Sequence, residues 1–203
     1  NQEQEKASMG ADFFPTGGLS SPSKTEKTLN INHKQIGQVL SGRYRLDALL
    51  GVGGMGEVYL ATDNLMGSLC ALKWIRPELA QQEAIRRRFV HELQVTQRLT
   101  HPGIVRTYTL AQDIEREALF FTMEYIEGQT LEAILLSAEE EERIPPVPTG
   151  QAVLWLKTLL GALSVAHREG VLHRDLKPAN IMVDNRGRAL LMDFGIAKSI
   201  GQR

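Results

Sequence analysis

Residues 173–180 read His173-Arg174-Asp175-Leu176-Lys177-Pro178-Ala179-Asn180, and residues 192–195 read Met192-Asp193-Phe194-Gly195. Both stretches place hard oxygen donors in loops between short strands. Asn180 and Asp193 are the side-chain types that suit Mg²⁺, which takes one or two protein oxygens and fills its shell with substrate phosphates. Asp175 is then left to accept a proton from a substrate hydroxyl. A single loop aspartate is ordinarily a cap or turn former; the weight of this one comes from what precedes it in the chain.

Upstream, Gly51-Val52-Gly53-Gly54-Met55-Gly56-Glu57-Val58 matches G-x-G-x-x-G-x-V. The dinucleotide-binding form of such a run needs a helix after it. Here Val58-Tyr59-Leu60-Ala61-Thr62 continues as a strand, which argues against a Rossmann-type oxidoreductase and for a hairpin folded over phosphates. Without side chains, backbone N–H groups can approach phosphate oxygens. No G-x-x-x-x-G-K-[ST] occurs, which excludes a P-loop NTPase. Farther on, Ala71-Leu72-Lys73 lies on a strand whose alternation sends Ala71 and Lys73 to one face and Cys70 to the other. A strand lysine among apolar residues needs a buried partner or an anionic ligand. Glu92, on the apolar side of the helix that follows, is the candidate partner.

Around these motifs the chain divides. Residues 1–42 are rich in Ser, Thr, Lys, Gly and Pro without apolar periodicity, and are expected to form a disordered extension. Three strands joined by short turns follow, the third spanning 68–75, then a helix over 83–99 and strands over 104–110 and 118–125. Past Gly128 the chain turns helical: a short helix at 131–136, a loop carrying the acidic run 139–142 and three prolines, and a long helix at 151–168. On that helix Val153, Leu156, Leu160, Leu163 and His167 share the expected core face. The fold class is α+β, in two lobes of different character.

Composition excludes other functions. The 203 residues carry 23 Lys+Arg against 24 Asp+Glu, a net charge of −1, so no global basic field draws nucleic acid. One cysteine, Cys70, rules out an internal disulfide framework and a cysteine-built zinc site. No apolar run reaches the roughly 20 residues of a membrane-spanning helix, and a cytoplasmic location is expected, with a membrane anchor elsewhere in a parent chain left open. Arg86-Arg87-Arg88 is read as an exposed helix face, and His91 and His101 as surface or packing residues.

Taken together, the motifs from Tyr44 onward resemble the eukaryotic-type protein kinases, and Gly-Val-Gly-Gly-Met-Gly-Glu-Val-Tyr and Asp-Phe-Gly-Ile-Ala-Lys are similar to the bacterial serine/threonine members. The resemblance implies a bilobal kinase-like fold: a five-stranded antiparallel N-lobe with one long helix (43–126) and a partial, mainly helical C-lobe (127–203). It implies ATP and Mg²⁺ (or Mn²⁺) as cofactors and a protein Ser or Thr as substrate. Gly51, Gly53, Gly54 and Gly56 would form the lid over the phosphates. Lys73, braced by Glu92, would hold the α- and β-phosphates; Asp175 would be the base, Lys177 would contact the γ-phosphate, and Asn180 and Asp193 would bind metal. Met123, Glu124 and Ile126 would form the gatekeeper and hinge, with Val58, Ala71 and Met182 around the adenine. Arg174 would grip a phosphorylated activation loop, and His173 would brace the catalytic loop against Phe194.

The chain ends soon after Gly195 and does not begin with Met, so a fragment of a longer kinase is expected, with part of the apolar face of the 151–168 helix uncovered. The alternative from another class is a catalytically silent nucleotide-binding or scaffolding module. Oligomeric state is not legible in the sequence.

Overall fold

A computed structural model describes residues 35–141 and 147–194, with the side chains of Ile85, Arg88 and Glu92 outside the description. The expected extension up to residue 34, the prolines 145 and 146 and everything from Gly195 onward therefore lie outside the described residues. The first lobe is an antiparallel sheet of β1 (Val39–Leu40), β2 (Tyr44–Gly53), β3 (Gly56–Asp63), β4 (Ser68–Ile75), β5 (Thr107–Asp113) and β6 (Ala118–Met123), in the order β1-β2-β3-β4-β6-β5.

The sheet has six strands where five were expected, because the assignment of 1–42 to the extension took in β1. A two-residue strand carries no periodicity to read. Its place is set by long-range partners instead. Leu40 is 0% exposed, in a cluster with Tyr44, Leu46, Tyr59, Ala61, Cys70, Leu72 and Phe120. Ser41 and Gly42 turn the chain in left-handed conformations (φ 49° and 66°), and the Ser41 N–H donates to Asp113 Oδ2 at 2.7 Å. That bond ties one edge of the sheet to β5 at the other.

Directly opposed residues of antiparallel strands share a face. Tyr59 pairs with Leu72 and Ala61 with Cys70 on the Leu40 side, while Val58 pairs with Lys73 and Leu60 with Ala71 on the other. Cys70 is accordingly buried, and burial raises its thiol to about 11. The second face packs Ala71, Ile75, Phe121 and Met123 against Phe89 and Leu93 of α2 (Glu83–Thr96), which follows the short α1 (Pro77–Ala80). On α2, Arg86 and Arg87 both pair with Glu83, as an exposed helix face would. The turn between β3 and β4 is held by Asp63, whose Oδ1 accepts the Leu65 N–H at 3.0 Å and whose carboxylate takes a two-pronged contact from Arg43 at 2.8 and 2.6 Å.

The second lobe holds a three-stranded antiparallel sheet of β7 (Gly128–Thr130), β8 (Ile181–Asp184) and β9 (Ala189–Leu191), with α3 (Leu131–Glu140) and α4 (Thr149–Arg168). Thr130 caps α3 by accepting the Ala133 N–H at 3.1 Å. This helix runs past the expected end at 136, so Glu139 and Glu140 are helical rather than loop residues. The lobes join where Val105 N–H donates to Leu191 O (2.9 Å) and Leu191 N–H to Gly103 O (2.8 Å). His101, a packing residue as expected, accepts the Gly103 N–H on Nδ1 at 3.0 Å.

The face of α4 is a correction. Trp155, Leu159, Ala162 and Ala166 are buried, whereas Val153, Leu156 and Leu160 of the expected face are 43%, 58% and 63% exposed. Both stripes satisfy helical spacing, so periodicity cannot choose between them. Tertiary packing chooses the stripe with two alanines, which lies against β9. Trp155 Nε1 and Gln151 Nε2 then both donate to Gly187 O, at 2.7 and 2.9 Å, in the turn between β8 and β9.

Two outcomes follow. Leu40→Ala should cost about 3 kcal/mol in urea unfolding, as expected for emptying a fully buried leucine site; a change within error would mean β1 does not seal the cluster. Asp63, Asp113 and Asp184 all sit below the usual carboxylate range. The causes are the Arg43 guanidinium for Asp63, the Ser41 N–H for Asp113, and, for Asp184, burial outweighed by the N–H and guanidinium of Arg188. Because the unfolded chain binds these protons first, their stabilisation is complete above about pH 4 and is lost as pH falls through the folded values. Urea midpoints measured from pH 7 down to pH 3 should fall, and Asp113→Asn should flatten that fall.

Candidate active site

The glycine run forms the turn from β2 into β3, with Gly53 opposite Gly56. Its glycines are of two kinds. A Cβ on Gly51 or Gly54 would meet nothing within 4 Å, and one on Gly53 would meet only Gly56 O at 3.9 Å. A Cβ on Gly56 would lie 1.8 Å from Trp74 O. Gly56 is thus required by the close approach of β4, while the other three leave an open surface.

Lys73 is 8% exposed on β4, and its Nζ lies 2.7 Å from Asp193 Oδ2. A buried ammonium needs a counter-charge, and here the segment after β9 provides it. The expected partner, Glu92, lies on α2, but its side chain falls outside the described residues, so that pairing does too. Asp193 adopts φ 56° and Arg174 φ 59°, left-handed conformations that non-glycine residues seldom take. Each is embedded in contacts. The His173 ring packs on Phe194 with centroids 4.8 Å apart, and its Nε2 donates to Met192 O at 3.0 Å. Burial holds His173 below its usual pKa, and among the described residues no hydrogen-bond partner reaches its buried Nδ1.

Asn180 joins the two loops. Its backbone carbonyl accepts the Met192 N–H at 3.0 Å, and its Nδ2 donates to Asp175 O at 2.8 Å and to Asp175 Oδ2 at 3.0 Å. Lys177 Nζ lies 3.1 Å from the same Asp175 Oδ2. A continuous chain of contacts therefore runs from Lys73 through Asp193, Met192 and Asn180 to Asp175 and Lys177. With the amide nitrogen engaged by Asp175, the Asn180 Oδ1 is left as an oxygen donor. Among the described residues no three His, Cys, Asp or Glu side chains gather as a metal group. The side-chain oxygens of Asn180 and Asp193 are of the type that suits a hard cation bringing its own phosphate oxygens.

The apolar half of the cleft comes from both lobes. Ala71 opposes Met123, Val58 opposes Lys73, and Met182 opposes Leu190 on β8 and β9. Val58, Ala71, Met123, Ile126 and Leu190 belong to or pack on one cluster. Between the lobes, Glu124 N–H donates to Arg106 O at 2.8 Å, while among the described residues no backbone bond engages the Glu124 carbonyl or the Ile126 N–H. Sequence reading overlooked three residues here. Leu50 stands 47% exposed beside the lid at a register shift; Met192 lines a small cavity behind Met123 with Thr96, Val105 and Phe121; Arg76 contacts the lid itself. An apolar residue flanking the glycine run was the available signal for Leu50; for the other two there was none.

The family described as "Protein kinase domain" matches residues 44–203, and the chain belongs to the protein kinase family. Its relatives narrow the class. The chain is 40% identical over 164 residues to a probable serine/threonine-protein kinase, SCO3848, of Streptomyces coelicolor, covering 80% of this chain and 24% of that one. It is 38% identical over 170 residues to the serine/threonine-protein kinase PknD of Protochlamydia amoebophila, covering 81% and 17%. The crystal structure of the Mycobacterium tuberculosis PknI kinase domain superposes with a TM-score of 0.64 at 34% identity, covering 79% of this chain and 62% of that one. The chain thus spans a quarter or less of the length of these curated relatives. No helix among the described residues is long and apolar enough to cross a membrane.

The two kinds of lid glycine are separable by mutation. Gly56→Ala should lower stability by about 3 kcal/mol, since backbone must move to admit the methyl group, whereas Gly54→Ala should leave the thermal midpoint unchanged. Equal midpoints for the two variants would contradict the steric assignment.

Proposed function

We propose that this chain is the nucleotide-binding and catalytic part of a serine/threonine protein kinase, moving the γ-phosphoryl of ATP to a Ser or Thr hydroxyl of a protein. The observation that carries the reading is the contact chain from Lys73 to Lys177, which sets a buried cation, two oxygen donors and a restrained carboxylate along one cleft. Gly51, Gly53 and Gly54 leave the lid open to close approach by phosphate oxygens, and Gly56 holds the lid on the sheet. Val58, Ala71 and Met182, with Leu50, enclose the adenine, whose edge pairs with the Glu124 carbonyl and the Ile126 N–H beside the gatekeeper Met123.

Lys73 attracts the α- and β-phosphates, and Glu92 on α2 steadies it. Asn180 and Asp193 would hold Mg²⁺ (or Mn²⁺), which supplies neutralisation of phosphate charge when bound. Asp175 takes the hydroxyl proton onto its carboxylate. The Asn180 amide fixes the orientation of that carboxylate, and Lys177 places positive charge beside the transferred group. Lys177, two residues after Asp175, is the basis for preferring Ser and Thr over Tyr. A supply of ATP puts the reaction in the cytoplasm.

The test separates catalysis from silent nucleotide binding. With radiolabelled ATP and a Ser/Thr-rich protein acceptor, Asp175→Asn should lose at least about 100-fold in turnover, the scale of a lost general base. MgATP affinity, from calorimetric titration, should remain close to that of the wild type. Wild-type chain that binds MgATP without labelling any acceptor would instead support the silent module.

A further inference from the structure

Among the described residues, one residue beyond the sheet strands holds the tip of the glycine lid by hydrogen bonds. Arg76 follows β4 and stands at the N-cap of α1. Its backbone N–H donates to Met55 O at 2.9 Å, and its guanidinium Nη2 donates to Gly53 O at 3.1 Å. Its own carbonyl points the other way, into α1, accepting the N–H groups of Leu79 and Ala80, both at 3.0 Å. Met55, Leu79 and Ala80 pack against the same apolar cluster. The two carbonyls that Arg76 holds bracket Gly54, whose surroundings contain no atom within 4 Å of a Cβ position.

We propose that Arg76 is a positioning residue for nucleotide binding, a latch that sets the height and orientation of the Gly51–Gly56 lid and ties it to α1. The physical reason lies in the glycines. A glycine turn has more backbone freedom than any other and loses most on ordering, so a lid built from glycines needs an external anchor to present its N–H groups in one direction. In a trans peptide the carbonyl and the following N–H point oppositely. Holding the Gly53 carbonyl on Arg76 therefore turns the Gly54 N–H away from Arg76. Arginine suits the task because its planar fork reaches a carbonyl while the same residue's backbone serves the next one but one. The α1 contacts of the Arg76 carbonyl make the latch a mechanical link between that helix and the lid.

This inference rests on the nucleotide-binding reading above, and the experiment keeps the two apart by measuring the lid without nucleotide. Hydrogen exchange of the whole chain is compared for wild type, Arg76→Ala and Arg76→Lys, alongside MgATP titration and steady-state kinetics. Arg76→Ala keeps the backbone bond and removes only the guanidinium, so amide exchange in 51–56 should rise about fivefold, the worth of one hydrogen bond, with residues 57–75 unchanged. KM for ATP should rise by a similar factor with kcat nearly unaltered, and Arg76→Lys, which retains one donor, should recover part of both effects. Unchanged lid exchange in Arg76→Ala overturns the proposal. So does a rise spread evenly over β2 to β4, which marks a general structural loss, and so does an unaltered KM in an active chain. Loosening confined to the lid in a chain whose wild type binds no MgATP would sustain the latch and defeat the nucleotide reading instead.

Discussion

A lysine that is 8% exposed inside a β-sheet is the constraint around which the cleft is organised. Burying an ammonium without a counter-charge would cost more than most single contacts return. Asp193 meets that need from the other lobe, 120 residues away in sequence. At Asp193 the backbone takes a left-handed conformation, and the neighbouring Phe194 packs in the core against His173.

Strain is placed where the contacts over-determine it. Arg174 and Asp193 are two of the four non-glycine residues with positive φ among the described residues; the first follows His173 and the second precedes Phe194. Around them the hydrogen bonds from His173 to Met192 O, from Met192 to Asn180 O and from Asn180 to Asp175 leave little freedom to relax. Such conformations persist only when their surroundings enforce them. The opposite solution operates at the lid, where a Cβ on Gly51, Gly53 or Gly54 would meet no tight neighbour and order is imposed from Arg76.

The architecture of the first lobe follows from keeping two apolar faces dry at once. One face of the sheet takes α2, the other curls on itself until β1 and β5 approach and Asp113 bonds across to Ser41. The Lys73 side is covered by a helix and by the second lobe. On the Cys70 side, burial raises the thiol pKa, with the Asp63 carboxylate adding to the shift and the Arg43 guanidinium opposing it.

Much of this was legible in the chain itself. Period-two alternation separated Cys70 from Ala71 and Lys73, and the strand at 68–75 and the β-prone residues after Gly56 decided between a phosphate-covering hairpin and a dinucleotide fold. Asp175, Asn180 and Asp193 were nameable from residue type within two short stretches, and Lys177 from the resemblance those stretches carry. What could not be read was long-range choice. Two apolar stripes on α4 have the same helical period, and only packing of Ala162 and Ala166 on β9 selects one. Val39 and Leu40 are too few to show a pattern, yet antiparallel pairing with Arg45 and Tyr44 makes them a strand and the Ser41 bond to Asp113 fixes the edge that follows them. The Lys73–Asp193 contact and the hold of Arg76 on the lid belong to the same class. Local sequence determined which groups could do chemistry and on what kind of element each would sit; tertiary structure decided which of them meet, because a buried charge or an open carbonyl is satisfied by whatever the fold brings within reach, and spacing along the chain carries no record of that.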